Sequence, residues 1–185
     1  MNTPLPALQW KQNGVNHIVK LLPGGRIGAL SDEILAEIRE SNGKPDAKII
    51  AIRSGNVQLV RQLQNEHIEG KELATTELEE WEESMAGPSG PFDVTYCQPH
   101  TPPKGRPCIL YLHGGGWQYG SRKVVLPFCR YLAEQANAVV AVPEYHLAPE
   151  HRWPAALEDC WQLLCRLHAQ AETRGIDPAR ITVAG

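Results

Sequence analysis

The sequence predicts an α/β fold, a mainly parallel sheet flanked by helices, over residues 91–185, with a segment of partly helical character, residues 1–90, ahead of it. Two observations carry that prediction. The run Cys108-Ile109-Leu110-Tyr111-Leu112 is apolar without a break and ends at His113-Gly114-Gly115-Gly116-Trp117. A strand apolar on both faces belongs inside a parallel sheet, covered by helices above and below. Beyond it, apolar strands alternate with amphipathic helices, the order of a sheet built from right-handed crossovers.

Residues 1–30 are rich in Pro and Gly without clear periodicity, and Pro23-Gly24-Gly25 reads as a turn. Ser31 caps a short helix over 31–42, with Asp32 and Glu33 in its first turn and Ile34, Leu35 and Ile38 on its apolar side. From Ala47 to Leu63 the signal is mixed: Ile49, Ile50 and Ile52 favour a strand, Ser54-Gly55-Asn56 a turn, and Val57–Leu63 fits either state. Residues 69–83 hold seven acidic groups. Thr76 and Glu79 match a capping box, and Leu78, Trp81 and Met85 fall on one helical face, so 76–86 reads as a helix whose acidic side meets solvent.

A turn at Gly87-Pro88-Ser89-Gly90-Pro91 marks a boundary. Phe92, Val94 and Tyr96 then alternate with Asp93, Thr95 and Cys97, the pattern of a half-buried strand. A Pro/Gly loop leads to the strand at 107–113. After the glycines, Val125, Phe128, Cys129, Leu132 and Ala136 recur at helical spacing, and Ala138–Val142 is a second apolar strand. Trp153-Pro154 opens another helix, with proline where its missing N–H is not needed. Leu157, Cys160, Trp161, Leu164 and Leu167 would line its inner face, Gly175 would end it, and Ile181–Ala184 is the third apolar strand.

Three glycines in a row leave backbone N–H groups uncovered and admit dihedrals that a Cβ disfavours. A nucleotide-phosphate cradle does not fit the spacing. For G-x-G-x-x-G from Gly114 the last glycine should fall at Tyr119, and a phosphate loop laid on Gly115–Gly120 puts Ser121 where lysine is required. A plain tight turn is the simplest alternative. The reading adopted is an oxyanion hole, in which backbone donors meet the charge of a tetrahedral intermediate; an HGGG loop of this kind follows the third strand of lipase and esterase hydrolases.

Composition narrows the classes. The chain has 185 residues, 42% hydrophobic and 21% charged, with a net charge of −3. That is an ordinary globular balance, with no basic stripe for nucleic acid and no apolar run of membrane-spanning length. Residues Met1–Trp10 do not have the basic start and apolar core of a secretion signal. The five cysteines include no C-x-x-C and sit mostly in apolar patterns, which predicts buried reduced thiols and a cytoplasmic protein. The seven histidines show no metal-ligand spacing, so neither metal nor cofactor is expected.

Taken together, His113-Gly114-Gly115-Gly116-Trp117, Tyr145-His146-Leu147-Ala148-Pro149-Glu150-His151 and Trp153-Pro154-Ala155-Ala156-Leu157-Glu158-Asp159 resemble the hormone-sensitive-lipase-like family of α/β-hydrolases. The resemblance covers about residues 91–185 and makes the chain the N-terminal part of an α/β-hydrolase, with residues 1–90 contributing helices to a cap by analogy. It implies that the N–H groups of Gly115 and Gly116 are the oxyanion donors. His113 and Gly114 would shape the loop, Trp117 would lie near the acyl or alcohol pocket, and 145–150 would buttress the loop. Family members commonly carry Asp-Tyr-Arg where this chain has Glu144-Tyr145-His146, a departure read as a local structural adjustment because a guanidinium fork is lost.

Ile181-Thr182-Val183-Ala184-Gly185 resembles the strand entering a G-x-S-x-G nucleophile elbow, with Gly185 as its first glycine. No complete G-x-S-x-G stands in these residues; Gly87-Pro88-Ser89-Gly90 brings its second glycine one position early, and no motif assigns Ser121 a histidine. The expectation is the amino-terminal portion of a serine carboxylesterase acting on a small-molecule ester, inactive as this chain alone. Alternatives are a non-catalytic hydrolase relative that binds, and amide or formamide cleavage on the same scaffold. An apolar strand left at the sheet edge further predicts that the chain self-associates.

Overall fold

A mixed sheet of five strands organises the larger of two compact units, Asp46–Gly185; the other is Met1–Pro45. The computed structural model describes residues 7–12, 15–20, 47–66, 73–74, 76–100 and 105–185. In the smaller unit, β1 (Ala7–Gln12) and β2 (Val15–Lys20) pair antiparallel, Gln12 opposite Val15. These residues carry no clear hydrophobic periodicity. Their local signal is Asn13-Gly14, the dipeptide that favours a two-residue hairpin. The turn at 23–25 and the helix at 31–42 lie outside the described residues.

The larger unit begins with helices α1 (Ala47–Arg53) and α2 (Val57–Glu66), separated by the Ser54-Gly55-Asn56 turn. The strand favoured by Ile49, Ile50 and Ile52 is therefore corrected to a helix. Ala51 and Val60 are fully buried, so tertiary packing outweighs a β-branched preference worth only tenths of a kcal/mol per residue. Next come β3 (Leu78–Gly87), β4 (Gly90–Pro99), β5 (Arg106–Tyr111), α3 (Arg122–Ala136), β6 (Val139–Pro143), α4 (Ala155–Ala169) and β7 (Ile176–Ala184). Sheet order is β3-β4-β6-β5-β7; β3/β4 and β4/β6 are antiparallel, while β5 runs parallel to both β6 and β7. The glycine-tipped strand thus has parallel partners on both sides, as its apolar run predicts.

Residues 76–86 are a correction too: they form an edge strand, not a capped helix. Leu78, Trp81 and Met85 suit either period, but the pairs across the hairpin fix a strand, from Leu78 opposite Pro99 to Gly87 opposite Gly90. Its carboxylates are engaged. Glu80 meets Arg130 at 2.8 Å and Glu82 meets Arg122 at 2.7 Å on the α3 face. On the opposite face Glu83 meets Arg174 at 2.7 Å, and hydrogen bonding from that guanidinium holds its carboxyl below the usual range. The Gly87–Pro91 turn, read as a boundary before residue 91, is the tip of this hairpin inside the larger unit.

Strand parity divides the core. Val94, Tyr96, Cys108, Leu110, Val139 and Ala141 pack with Leu163 and Leu167 of α4, while Cys97, Val140 and Val142 pack with Cys129 and Ala133 of α3. β4 is consequently buried on both faces over 94–98, more than the half-burial its alternation suggests, because α3 covers Thr95 and Cys97. The inner face of α4 also differs from the one read from periodicity. Ala155, Asp159, Cys160, Leu163 and Leu167 are buried, whereas Leu157 and Trp161 are exposed. The helix ends at Ala169, and a 3-10 turn (Glu172–Arg174) carries the chain to Gly175. No disulfide links the five cysteines, four of which are buried; burial pushes Cys108 and Cys160 up to about 12.

Candidate functional site

The loop leaving β5 combines three consecutive positive φ values, 139° at Gly115, 60° at Gly116 and 63° at Trp117. Gly115 allows no side chain: a Cβ there would overlap the Tyr119 carbonyl. The Gly115 carbonyl accepts the N–H groups of Gln118 (3.2 Å) and Tyr119 (3.0 Å), curling the chain back on itself. Among the described residues, the Gly115 and Gly116 N–H groups donate to no backbone carbonyl. Two unengaged donors on a tight corner are what the predicted oxyanion role requires.

His113, predicted to shape the loop, is buried at 3% exposure, with Nδ1 3.1 Å from the Gly114 carbonyl. Its ring stacks on Tyr145 at 4.2 Å, and the Tyr145 hydroxyl donates to the His113 carbonyl. Among the described residues His113 Nε2 has no partner. Burial lowers the affinity of this imidazole for a proton below its ordinary value of 6.5. The folded state then binds fewer protons than the unfolded chain below that value, so stability is full above it and falls as pH drops through 6.5. Thermal melts taken from about pH 7.5 to about 5.5 should show this fall, and His113→Asn should show a shallower one.

Trp117 is half exposed, lies 5.6 Å from Tyr145, and accepts the Ala148 N–H on its carbonyl at 2.8 Å. It lines a cleft of ≈ 300 Å³ with Gly116, Ala148, His151, Trp153 and Leu157. The structure therefore brings Gly116 and Trp117 to one cleft with the 145–151 segment. The exposed side of α4, which periodicity had turned inward, forms its far wall. Ser121 is no nucleophile by geometry: its hydroxyl donates to Asn65 Oδ1 at 2.8 Å, not to a histidine.

Both departures at 144–146 have structural partners. Glu144 accepts the backbone N–H of Arg122 at 3.0 Å, an anion at the start of α3 where the helix dipole favours one. Burial nevertheless pushes its carboxyl above the usual range. His146 takes up fully buried Asp159, with Nδ1 at 2.7 Å and its backbone N–H at 3.0 Å from Oδ2.

Sequence reasoning missed α2. Arg61 donates to the carbonyls of Gln118 and Ala148, both at 2.8 Å, and forks onto Glu150 at 3.0 Å through each terminal nitrogen. Gln64 accepts the Gly120 N–H at 2.9 Å. Polar residues at 58, 61, 64 and 65 share one helical side, a pattern ordinarily read as solvated.

Residues 109–185 match the family described as alpha/beta hydrolase fold. The carboxylesterase NlhH of Mycobacterium tuberculosis is 39% identical over 107 residues, 56% of this chain and 33% of that protein. An AB hydrolase superfamily protein of Schizosaccharomyces pombe is 41% identical over 90 residues, 48% of this chain and 26% of its own. Among solved structures, the Pyrobaculum calidifontis esterase aligns with a TM-score of 0.69 at 28% identity, covering 85% of this chain and 48% of that one. EstE1, a thermostable carboxylesterase from a metagenomic library, aligns at 0.64 and 30% identity over 70% of this chain and 44% of its own. The chain thus spans a quarter to a third of these curated relatives and about half of the solved esterases. The glycine-tipped strand and its two parallel neighbours are thus part of an α/β-hydrolase fold, and the chain is similar to the amino-terminal part of these esterases.

Proposed function

We propose that residues 113–117 are the oxyanion hole of a serine carboxylesterase that hydrolyses short-chain esters through an acyl-enzyme, with Gly115 and Gly116 as the donors. One observation carries this reading. The Leu112 N–H donates to the Ala184 carbonyl at 2.8 Å, and a Cβ on Gly185 would overlap the Leu112 carbonyl. The first glycine of the elbow pattern therefore lies flush against the strand that leads into His113. A serine two positions further on, as the family pattern has it, would start beside the free N–H groups. It would attack the ester carbonyl, the loop would hold the oxyanion, the C–O bond would break to release the alcohol, and water would then hydrolyse the acyl-enzyme to the carboxylic acid.

The cleft supports a short acyl or alcohol group: its walls are mostly Trp117, Trp153, Pro154, Ala156 and Leu157, and its volume is ≈ 300 Å³. Trp117 is its substrate-facing side chain in this reading. The four buried thiols suit a reducing, cytoplasmic setting. The test compares residues 1–185 with a protein extended through a G-x-S-x-G elbow and the segments that follow it in relatives. The extended protein should be labelled by a fluorophosphonate and should hydrolyse p-nitrophenyl acetate; residues 1–185 should do neither at enzymatic speed. Rapid turnover by residues 1–185, or none by the extended protein, overturns the proposal. Residues 1–185 should also self-associate through β7, which among the described residues pairs only with β5 and leaves Val183 half exposed. A monodisperse monomer on a sizing column would refute that.

A further inference from the structure

We propose that helix α2, which precedes the family match, sets the shape of the glycine loop, and that Arg61 is its positioning residue. The inference rests on the oxyanion reading of that loop. Positive φ at Gly115 and Gly116 costs little, but Trp117 at 63° carries a Cβ and pays about 1–2 kcal/mol. Such a conformation persists only where its surroundings over-determine it.

The loop's own hydrogen bonds, from Gln118 and Tyr119 to the Gly115 carbonyl, close the corner but do not orient it. Ala148 anchors one side through the Trp117 carbonyl. The other anchors come from one helix. Arg61 Nε donates to the Gln118 carbonyl, Gln64 Oε1 accepts the Gly120 N–H, and Asn65 Oδ1 accepts the Ser121 hydroxyl. Residues 118, 120 and 121, immediately after the strained corner, are thereby fixed to the side of α2 bearing 61, 64 and 65.

Arg61 does more than its neighbours because it joins two segments. The guanidinium that holds Gln118 also donates to the Ala148 carbonyl and forks onto both Glu150 oxygens, and Gln58 completes the carboxylate at 2.8 Å. Gln118 and Ala148 line the cleft; Arg61 does not. It grips the backs of two cleft residues and fixes the separation between the loop and the segment opposite. A planar fork with five donors spread over three nitrogens serves two carbonyls and both oxygens of a carboxylate together, whereas an ammonium offers three donors from a single point. Loosening this grip leaves the ground-state ester free to bind while the donors no longer converge on the oxyanion. A misplacement of about 1 Å can cost roughly 100-fold in rate.

Two arms test the proposal. In the extended, elbow-containing protein, Arg61→Gln and Arg61→Lys should both lower kcat for p-nitrophenyl acetate by roughly 10–100-fold with KM within about 3-fold. Inhibition by a trifluoromethyl ketone, which binds as a tetrahedral oxyanion, should weaken in proportion to kcat. In residues 1–185, amide exchange at Gln118, Tyr119 and Gly120 should quicken about tenfold or more in Arg61→Gln, with amides of β6 unchanged. If Arg61→Gln does not fold, Gln64→Ala, which removes only the acceptor for Gly120, should show the same exchange pattern more weakly. Unchanged kcat, full retention by Arg61→Lys, a rise in KM alone, or unchanged loop exchange overturns the proposal. A wild-type extended protein without esterase activity defeats the oxyanion reading instead, and the exchange arm then still decides whether α2 holds the loop.

Discussion

Gly115→Ala is expected to lower kcat of the extended protein by about 10²–10³-fold, the loss seen when one oxyanion donor is removed. Two independent effects converge on this residue. Its φ of 139° lies where residues with a Cβ rarely go, and the added methyl would meet the Tyr119 carbonyl and sit 3.1 Å from the Gly120 nitrogen. Both obstacles are backbone, so no rotamer change relieves them; the corner must open and take the Gly115 N–H with it. The neighbouring glycines provide the controls. Gly114 has open space around a Cβ and no positive φ, so Gly114→Ala should keep near-wild-type activity. Gly116 also has open space but a φ of 60°, so Gly116→Ala should cost about 1–2 kcal/mol of stability and fall between the two in activity. An order other than 114, 116, 115 from mildest to most severe would contradict the conformational account. Thermal melts of residues 1–185 should give the same ranking without reference to catalysis.

The half of the fold that was legible in the sequence is the half governed by local pattern. An uninterrupted apolar run, three glycines, and helices with apolar residues every three or four positions located β5, the loop, α3, β6 and α4 within a few residues. Failures came where a partner distant in sequence decides. Glu83 reads as solvent-facing until Arg174, 91 positions away, is seen to receive it, and only then is β3 a strand with one face on the core. Ile49, Ile50 and Ile52 favour a strand locally, yet burial of Ala51 commits them to a helix. Arg61, Gln64 and Asn65 are an ordinary polar helix side until their acceptors and donors at 118–121 fold back onto them. The shape of the loop was legible because it is set by the backbone, announced by the absence of side chains. The side chains bonded to it were not legible, since Arg61 reads in the sequence like any other surface arginine.

Asp159 is the clearest case of a residue that periodicity rejects and the structure depends on, and Asp159→Ala should destabilise the protein by about 3–5 kcal/mol. At 0% exposure its Oδ2 is the acceptor for both the backbone N–H and Nδ1 of His146. Removing the carboxylate leaves two inward-facing polar groups without an acceptor, each worth about 1–3 kcal/mol, and leaves a void besides. For a chain of this length that corresponds to a fall of roughly 6–20 °C in Tm. The other oxygen, Oδ1, has no hydrogen-bond partner among the described residues, and a Cβ on Gly87 would come within 2.5 Å of it. Gly87 is thus the residue whose bareness admits the carboxylate, joining the β3–β4 hairpin tip to α4. Because His146 stands where relatives by resemblance carry arginine, His146→Arg should be tolerated to within about 1 kcal/mol, whereas His146→Ala should approach the loss at Asp159. The double variant Asp159→Ala/His146→Ala should be less destabilised than the two single losses added, since the second removal leaves no orphaned partner. Strict additivity would mean that the 2.7 Å pair is a bystander and that packing of the hairpin on α4 carries the energy instead.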